Sequence, residues 1–325
     1  MNKTDNNLIF IVKKTNDLTD QETDQLLLLH NTTMGAKRTK KMFQDKYSLN
    51  FLGFSFHALM INKSKIVGCN TVIPQEFIFF EKKYIFGQWC ETLIDKNFRG
   101  GFSNFKKLGS IFNEELLKNN IYFIYGLPNR ALYMVSKRLL GMKDIGKLNY
   151  YVYPKKLDKF LTKYYPLNIL LCFFLKILIM IKFKFKYNYN FPIYKLYNED
   201  FHRSRYGNNN EYKVLLKDEY KLIYKLDVSD HHNKAKIIWI MDVLPLNKSN
   251  LESSVNDLRK GSNDVDLIVY IGKLNSTPYN LIKVPDKFIN ENSIFSGKIL
   301  DETKINNSVF KHDHWNVNSS NFDYR

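Results

Sequence analysis

A short glycine-containing turn in the first third of the sequence has the composition of a phosphate-binding site. Arg99, Gly100 and Gly101 form this turn, and apolar residues at helical spacing follow it from Phe102 to Lys118. The amides and the dipole at a helix N-terminus favour an anion, and glycine residues let a phosphate approach the backbone closely. The turn therefore predicts a ligand that carries phosphate.

The elements around this turn form a strand–turn–helix–strand unit. Residues 88–94 are aromatic, β-branched and apolar, as expected of a buried strand, and residues 121–127 have the same character. Upstream, Thr19 followed three residues later by Glu22 predicts the capping box of a helix. Residues 145–153 are predicted to form one closing strand. These patterns together predict an α/β protein.

This unit resembles the acyl-CoA-binding core of the GNAT N-acyltransferases, in which an Arg-Gly-x-Gly turn holds the CoA pyrophosphate. Downstream, the run from Gly126 to Asn129 is similar to the strand end that opens the family's next motif, and Leu139 to Met142 is similar to its closing Leu-Gly-Phe. One position departs from the pattern, because Phe102 stands where the family has its second glycine. The resemblance covers about residues 8–152 and implies the GNAT fold, a mixed central sheet flanked by helices.

The resemblance also implies a cofactor site, with acetyl-CoA or another acyl-CoA as co-substrate and no metal. The backbone at the end of the first strand would run beside the pantetheine arm and polarise the thioester carbonyl. The turn would bind the pyrophosphate, and Asn129 would contact the cofactor or the acceptor, although it fits the N-cap of the next helix equally well. The predicted cofactor-binding residues are Leu93, Ile94, Asp95, Arg99, Gly100, Gly101, Phe102 and Asn129.

Amide-forming acyl transfer requires an unprotonated amine, a bound thioester and a proton for the leaving thiolate. Glu91 is the predicted base, because acidic residues occupy this place in many members of the family; the alternative is a strand-end carboxylate that is hydrogen-bonded for structure. Its apolar strand should raise the pKa of its carboxyl. The family's usual proton donor is a tyrosine four residues before the closing glycine, where this sequence has Lys137. Tyr133, one turn earlier, is the predicted donor, with water as the alternative.

The amino-acid composition indicates which kinds of partner and which cellular compartment to expect. The 325-residue chain has a formal net charge of +17, from 49 basic and 32 acidic residues, and should attract anionic partners. Cys69, Cys90 and Cys172 lie in apolar surroundings without CxxC spacing. This argues against a disulfide framework or a zinc site and indicates a cytoplasmic protein, and no secretory signal is recognisable. The resemblance to the GNAT family implies that the lysine-rich region 31–50 borders the acceptor site. Its cluster of Lys37, Arg38, Lys40 and Lys41 could hold an anionic acceptor, but we expect a solvated loop.

Changes in composition along the chain predict three segments: a GNAT acyltransferase domain (1–153), a basic apolar helical linker (154–190) and a degenerate GNAT-like lobe (191–325). Residues 155–187 carry eight lysines against the single Asp158. The apolar run 167–181 would span roughly 22 Å as a helix, short of the ~30 Å core of a bilayer. A transmembrane helix is therefore not expected. The alternatives are a helix at an anionic membrane interface and a helix packed between two domains.

The predicted function is transfer of an acyl group, acetyl first, from acyl-CoA to the amine of a small-molecule acceptor. The second lobe and a tail with Trp315, Asp323 and Arg325 resemble GNAT proteins of bacterial surface-polysaccharide pathways, which implies a nucleotide- or lipid-linked amino sugar as acceptor. Two alternatives stay open: a FemAB-like transferase that uses aminoacyl-tRNA, and a non-catalytic binding module at a membrane surface. We expect a cytoplasmic protein, peripheral at the inner face of the membrane if the basic segment binds lipid.

Overall fold

The computed structural model describes residues 8–35, 37–48, 50–99, 102–156, 177, 191–197, 199–202, 205–206, 211–229, 233–262, 264–275, 277–288 and 294–322. The chain forms two compact units. Unit 1 comprises Met1–Gly146, Pro192–Asn208 and Ile294–His314, and unit 2 comprises Lys147–Phe191, Asn209–Ser293 and Trp315–Arg325. Each unit is thus assembled from separate stretches, whereas the three predicted segments are continuous. Most of the predicted linker, except residues 154–156 and 177, lies outside the described residues.

The first half of the chain contains β1 (Leu8–Lys14), α1 (Asp20–Met34), α2 (Lys40–Tyr47), β2 (Phe56–Asn62), β3 (Lys65–Phe79), β4 (Lys82–Ile94), α3 (Phe102–Lys118), β5 (Ile121–Gly126), α4 (Arg130–Leu139), β6 (Lys143–Lys147) and β7 (Asn149–Pro154). The second half contains β8 (Ile193–Lys195), α5 (Glu199–His202), β9 (Tyr212–Leu216), β10 (Lys221–Ser229), β11 (Ala235–Leu244), α6 (Lys248–Gly261), β12 (Leu267–Gly272), β13 (Ile282–Lys283), β14 (Ile294–Ile299) and β15 (Trp315–Asn316).

Unit 1 is built on a mixed sheet with the strand order β1-β2-β3-β4-β5-β14-β6, and β8 adds to β3. Strands β1 to β4 are antiparallel neighbours, whereas β4 and β5 are parallel because α3 connects them. One face of the sheet packs against α3 and α4 around Phe105, Leu108 and Phe112. The other face packs against α1 and α2 around Leu26 and Tyr47. Helices on both faces give the sheet two cores.

Local sequence signals explain the helices of unit 1. Helix α1 begins with the predicted capping box, in which the Thr19 side chain accepts from Glu22 N–H and the Glu22 carboxylate accepts from Thr19 N–H. Helix α3 buries the residues at helical spacing, and Gly109 lets it approach α4, since a Cβ there would lie 2.5 Å from Leu140. The predicted capping box and the predicted helix after the turn are therefore confirmed.

Unit 2 has a second mixed sheet with the order β13-β7-β12-β11-β10-β9. Strands β11 and β12 are parallel and joined by α6, which buries Leu251, Val255 and Leu258 against the sheet. Asn247 caps α6 by accepting from Asn250 N–H. Unit 2 therefore repeats a strand–helix–parallel strand arrangement, as the sequence predicted.

The predicted closing strand is divided in the structure. Residues 145–153 fall in two strands, β6 and β7, and β7 pairs with β12 in the sheet of unit 2. The place beside β5 is taken instead by β14, from about 170 residues later in the chain. The single-strand prediction is wrong because apolar alternation does not state which strand will be the neighbour. Among the described residues, no helix is long and apolar enough to cross a bilayer.

Candidate functional site

The parallel pairing of β4 and β5 ends part-way along β4 in the sheet of unit 1. It runs from Ile85–Ile121 to Gln88–Tyr125, while β4 continues to Ile94. The pairing of β4 with β3 shifts at the same place, since Thr71 faces Glu91 but Val72 faces Trp89, so that Cys90 is an extra residue. Such a β-bulge bends its strand and increases the local twist. The bulge therefore lies where β4 continues beyond its pairing with β5.

The part of β4 beyond its pairing with β5 carries polar groups that could bind a ligand. Trp89 Nε1 and Thr92 Oγ1 are buried and have no hydrogen-bond partner among the described residues. Ser296 Oγ on β14, opposite Gly126 at the end of β5, is also buried and without a partner in the part of the chain described. Most buried polar atoms in proteins are hydrogen-bonded, so these three atoms are candidates for contact with a polar ligand.

The predicted pyrophosphate turn lies between the end of β4 and the start of α3. Gly100 and Gly101 lie outside the described residues. Arg99 is fixed to β4 because its Nε donates to the Ile94 carbonyl at 2.8 Å. Asp95 caps the single helical turn 96–98 by accepting from Asn97 N–H at 2.9 Å. Phe102 is the first residue of α3 and is 69% exposed. The structure thus brings Ile94, Asp95 and Arg99 together, with Leu93 buried just before them.

Asn129 and Tyr133 belong to α4. Asn129 is the N-cap of this helix and accepts from Leu132 N–H at 2.9 Å, so the capping alternative is confirmed. Tyr133 donates its hydroxyl to Asp144 at 2.9 Å and accepts from Lys137 Nζ at 3.0 Å, and Lys137 also contacts Asp144 at 2.6 Å. The hydroxyl predicted to be a proton donor is therefore part of an exposed hydrogen-bonded trio. Across the described residues, no hydrogen bond or ion pair connects Tyr133 with Glu91.

A buried ion cluster surrounds Glu91 on the face of the sheet that carries α1 and α2. Glu91 Oε1 accepts from Arg38 Nη1 at 2.7 Å and from Lys46 Nζ at 2.9 Å. His30 Nε2 lies 3.8 Å from the same oxygen. These four side chains, which we call the Glu91 cluster, are between 5% and 13% exposed. Two cations and one carboxylate therefore meet in a site almost closed to solvent.

The two cations of the cluster shift the pKa of Glu91 in the direction opposite to the predicted one. Burial raises the pKa of the Glu91 carboxyl, but Lys46 and Arg38, which are close and donate hydrogen bonds, together lower it to about 2. The prediction of a raised pKa is wrong, because the apolar strand suggested only the effect of burial. Glu91 is ionised at neutral pH. Its role as the base stays a prediction that has lost this support.

Sequence reasoning missed Lys46 as a site residue, and it named Arg38 only within a cluster of cations that could hold an anionic acceptor. It placed both in a region expected to be a solvated loop, whereas residues Lys40–Tyr47 form α2 and the two cations point inward. The available signal was the spacing of Phe43 and Tyr47 on one helical face after a Thr39 N-cap. Glu91, which pairs with both cations, is far from them in the sequence. No local pattern could therefore indicate this pairing. The prediction of a loop is therefore wrong.

The comparisons with known proteins concern the fold. No protein-family model matches the sequence, and no curated protein matches it significantly. Among solved structures, the chain is similar to a GCN5-related N-acetyltransferase from Kribbella flavida, with a TM-score of 0.56, 10% identity, and coverage of 90% of this chain and 72% of that chain. It is equally similar to one from Anabaena variabilis, with a TM-score of 0.56, 12% identity, and coverage of 90% and 73%.

The chain has the GNAT fold. The predicted fold class, with mixed sheets flanked by helices, is confirmed by these neighbours and by the strand order of both units. Within this fold, the part of β4 beyond its pairing with β5 leads into the turn before α3. Among the described residues, no group of three or more His, Cys, Asp or Glu side chains could hold a metal ion.

Proposed function

We propose that this GNAT-fold chain is an acyl-CoA-dependent N-acyltransferase, with acetyl-CoA as the preferred donor. The observation that carries the proposal is that β4 continues beyond its parallel pairing with β5 at the Cys90 bulge. The edge of β4 that β5 leaves unpaired leads to Arg99 and the N-terminus of α3, where an anion is favoured. An acyl-CoA carries both a chain of amides and a pyrophosphate, and therefore matches this edge and this turn.

The unsatisfied polar atoms beside β4 support a ligand with amide groups. Trp89 Nε1 can donate, and Thr92 Oγ1 can donate or accept, so each could bind a group of the pantetheine arm. The backbone at Leu93, Ile94 and Asp95 would position the thioester. The carbonyl of Ile94 already accepts a hydrogen bond from Arg99, and this bond holds the Arg99 guanidinium at the turn.

The acceptor in this proposal is a primary amine. The sequence resemblance to GNAT proteins of bacterial surface-polysaccharide pathways supports an amino sugar, linked to a nucleotide or a lipid. Attack of the amine nitrogen on the thioester carbonyl forms the amide bond and releases CoA thiolate, which takes up one proton. Tyr133 is the proposed source of that proton, with water as the alternative.

Isothermal titration with acetyl-CoA tests the proposal directly. Replacing Gly101 by Glu adds bulk and negative charge at the proposed pyrophosphate position, and should reduce the affinity at least tenfold, or about 1.4 kcal/mol. Gly261→Glu is the matched control, because a side chain at that helix end meets nothing within 4 Å. Equal affinities for Gly101→Glu and the control would remove the turn from the acyl-CoA site.

A thermal-shift screen separates the proposed donor from its alternatives. A ligand at 100 times its dissociation constant stabilises the folded state by about 2.7 kcal/mol. We expect stabilisation by acetyl-CoA or longer acyl-CoAs. Stabilisation by aminoacyl-tRNA alone would favour the FemAB-like alternative, and stabilisation by neither would favour a non-catalytic binding module.

Contact with an anionic membrane is a further part of the proposal, supported by the lysines of residues 155–187. Lysine near an anionic surface contributes roughly 1 kcal/mol per residue. Co-sedimentation with anionic vesicles should weaken as salt increases, and should fall when Lys182, Lys184 and Lys186 become Gln. A protein that stays in the supernatant at low salt would contradict membrane contact, and with it the lipid-linked acceptor.

A further inference from the structure

The protonation of His30 can be assigned from its neighbours. The Asn31 side chain bonds the backbone of Arg38 twice: Oδ1 accepts from Arg38 N–H at 2.8 Å, and Nδ2 donates to Arg38 C=O at 3.1 Å. These two bonds define which end of the amide is oxygen. His30 Nδ1 lies 3.4 Å from the same Oδ1. Since Oδ1 can only accept, the hydrogen of a neutral imidazole belongs on Nδ1, and Nε2 carries a lone pair.

This lone pair is directed into the Glu91 cluster without a hydrogen bond. Nε2 lies 3.8 Å from Glu91 Oε1, which is too long for a hydrogen bond, and no other partner of Nε2 exists among the described residues. The His30 side chain is 11% exposed, so that a small part of it stays accessible. The imidazole ring is held in place through Nδ1, and its unprotonated Nε2 faces a largely closed site. This is the arrangement of a general base.

The charges around His30 keep it neutral. Burial, followed by the Arg38 cation, lowers the pKa of His30 below its usual value, and Lys46 acts in the same direction, while Glu91 opposes them. Among the described residues, the ionisable groups that face this region from the packed elements are Arg38 before α2, Lys46 and Tyr47 on α2, Glu91 and Cys90 on β4, Cys69 on β3 and His57 on β2. Burial keeps Cys69 a thiol and His57 a neutral imidazole, so the charges that act on His30 are those of the Glu91 cluster.

We propose that His30 Nε2 is the base that deprotonates the acceptor amine, and that Glu91 positions the cations of the cluster. This inference rests on the proposed N-acyltransferase function. The acceptor ammonium gives one proton to Nε2, and its nitrogen lone pair forms the C–N bond with the thioester carbonyl carbon. When the tetrahedral intermediate collapses, the C–S bond breaks, the nitrogen passes its second proton to water, and the thiolate takes up one proton from Tyr133 or from water. His30 returns the first proton to solvent.

The tautomer can be measured on the full chain without any substrate. Nitrogen-15 NMR of histidine-labelled protein at pH 7 should show His30 with hydrogen on Nδ1 and none on Nε2. His30→Gln identifies the signal by its loss. Hydrogen on Nε2, or a doubly protonated ring at pH 7, would overturn the proposal. The variant serves only to assign the signal, and the tautomer itself is measured on the unmodified protein.

Kinetics test the role in the reaction. n-Butylamine is an ammonium ion at pH 7 and needs a base, whereas hydroxylamine is already largely uncharged. His30→Gln should slow acetyl transfer to n-butylamine by about 10²–10⁴ and leave transfer to hydroxylamine nearly unchanged. The matched control is His314→Gln, at a histidine whose Nδ1 faces the Ser308 carbonyl on the surface turn 307–314. Equal losses for both amines, or no loss, would exclude His30 as the base.

Titration with acetyl-CoA distinguishes the two proposals. His30→Gln should bind acetyl-CoA within a factor of two of the unmodified protein, since His30 lies on the face of the sheet with α1 and α2. If acetyl-CoA binds and the tautomer or the amine test fails, only the base assignment is wrong. If the unmodified protein does not bind acetyl-CoA, the proposed function itself is wrong.

Discussion

Arg38 Nη1 lies 2.7 Å from Glu91 Oε1, and this ion pair joins residues 53 positions apart in the chain. Lys46 completes the arrangement from α2 at 2.9 Å. A carboxylate that is nearly buried between two cations is a structural centre, because removing it would leave both cations without their shared partner. This relationship connects the helices before β2 to the strand that borders the proposed acyl-CoA site.

Glu91→Gln should therefore destabilise the protein at pH 7 by about 3–5 kcal/mol, the usual effect of breaking a buried ion pair from one side. Urea unfolding measures the change. Asp144→Asn is the control, because it breaks the Lys137–Asp144 ion pair, in which both side chains are more than 40% exposed, and should change stability by at most about 1 kcal/mol. Similar values for the two variants would contradict a structural role of the Glu91 cluster.

The Glu91 carboxylate should also account for part of the loss of folding stability at low pH. The folded-state pKa of Glu91, about 2, is below its ordinary value of 4.5. The folded state therefore binds this proton more weakly than the unfolded state does, and the stabilisation is present above pH 4.5 and lost as pH falls toward 2. The shift corresponds to about 3 kcal/mol. Glu91→Gln should unfold with a shallower pH dependence than the unmodified protein over this range.

Because of the buried His57, we expect stability to begin to fall at a higher pH than the range in which Glu91 acts. This fully buried imidazole contacts Thr15 Oγ1 at 3.0 Å and Thr71 Oγ1 at 3.1 Å, and burial lowers its pKa from 6.5 to about 3. Between these values the unfolded state binds the proton and the folded state does not, so stability falls as pH decreases below 6.5. The slope should be at most about 1.4 kcal/mol per pH unit.

Unfolding free energies at pH 7, 6 and 5 measure this slope, and His57→Gln should flatten it. His314→Gln serves as the control, because the His314 ring is only partly buried. If the slope is unchanged in His57→Gln, another group is responsible for it.

Gly126 lies where the end of β5 closely approaches β4, so a side chain at this position should have a steric effect. A Cβ at this position would lie 2.9 Å from the carbonyl oxygen of Trp89, a backbone atom that cannot move by a rotamer change. Gly126→Ala should cost about 1–3 kcal/mol of stability and weaken acetyl-CoA binding, because the two strands must move apart. Gly261→Ala, where the added carbon meets open space, should show neither effect. Unchanged acetyl-CoA affinity in Gly126→Ala would place the ligand elsewhere.

Replacing Tyr133 should change the turnover number without changing the affinity for the acyl-CoA donor. Tyr133→Phe removes the hydroxyl that contacts Asp144 and Lys137, and should lower kcat by at least about tenfold if this group protonates the thiolate. Tyr122→Phe is the control, since that hydroxyl donates only to Asn120 at the exposed start of β5. A kcat within a factor of three of the unmodified protein would leave water as the proton donor.

Local sequence signals determined most of the secondary structure. The Thr19 and Glu22 capping box, the apolar spacing of α3 and the apolar run of β11 each depend on residues that are close together in the sequence. The turn at Arg99 was recognisable for the same reason. The GNAT fold could therefore be predicted from the order of these elements and from the motif around the turn.

Only the tertiary structure decided the chemistry of the cluster and the partners of the strands. Whether Glu91 is a high-pKa or a low-pKa carboxylate depends on Arg38 and Lys46, which reach it from the segment before α2 and from α2 itself. Likewise, β7 pairs with β12 and β14 with β5, although no local pattern distinguishes these neighbours from others. Electrostatic energy and strand pairing depend on distance in space, and distance in space is set by the packing of the whole chain.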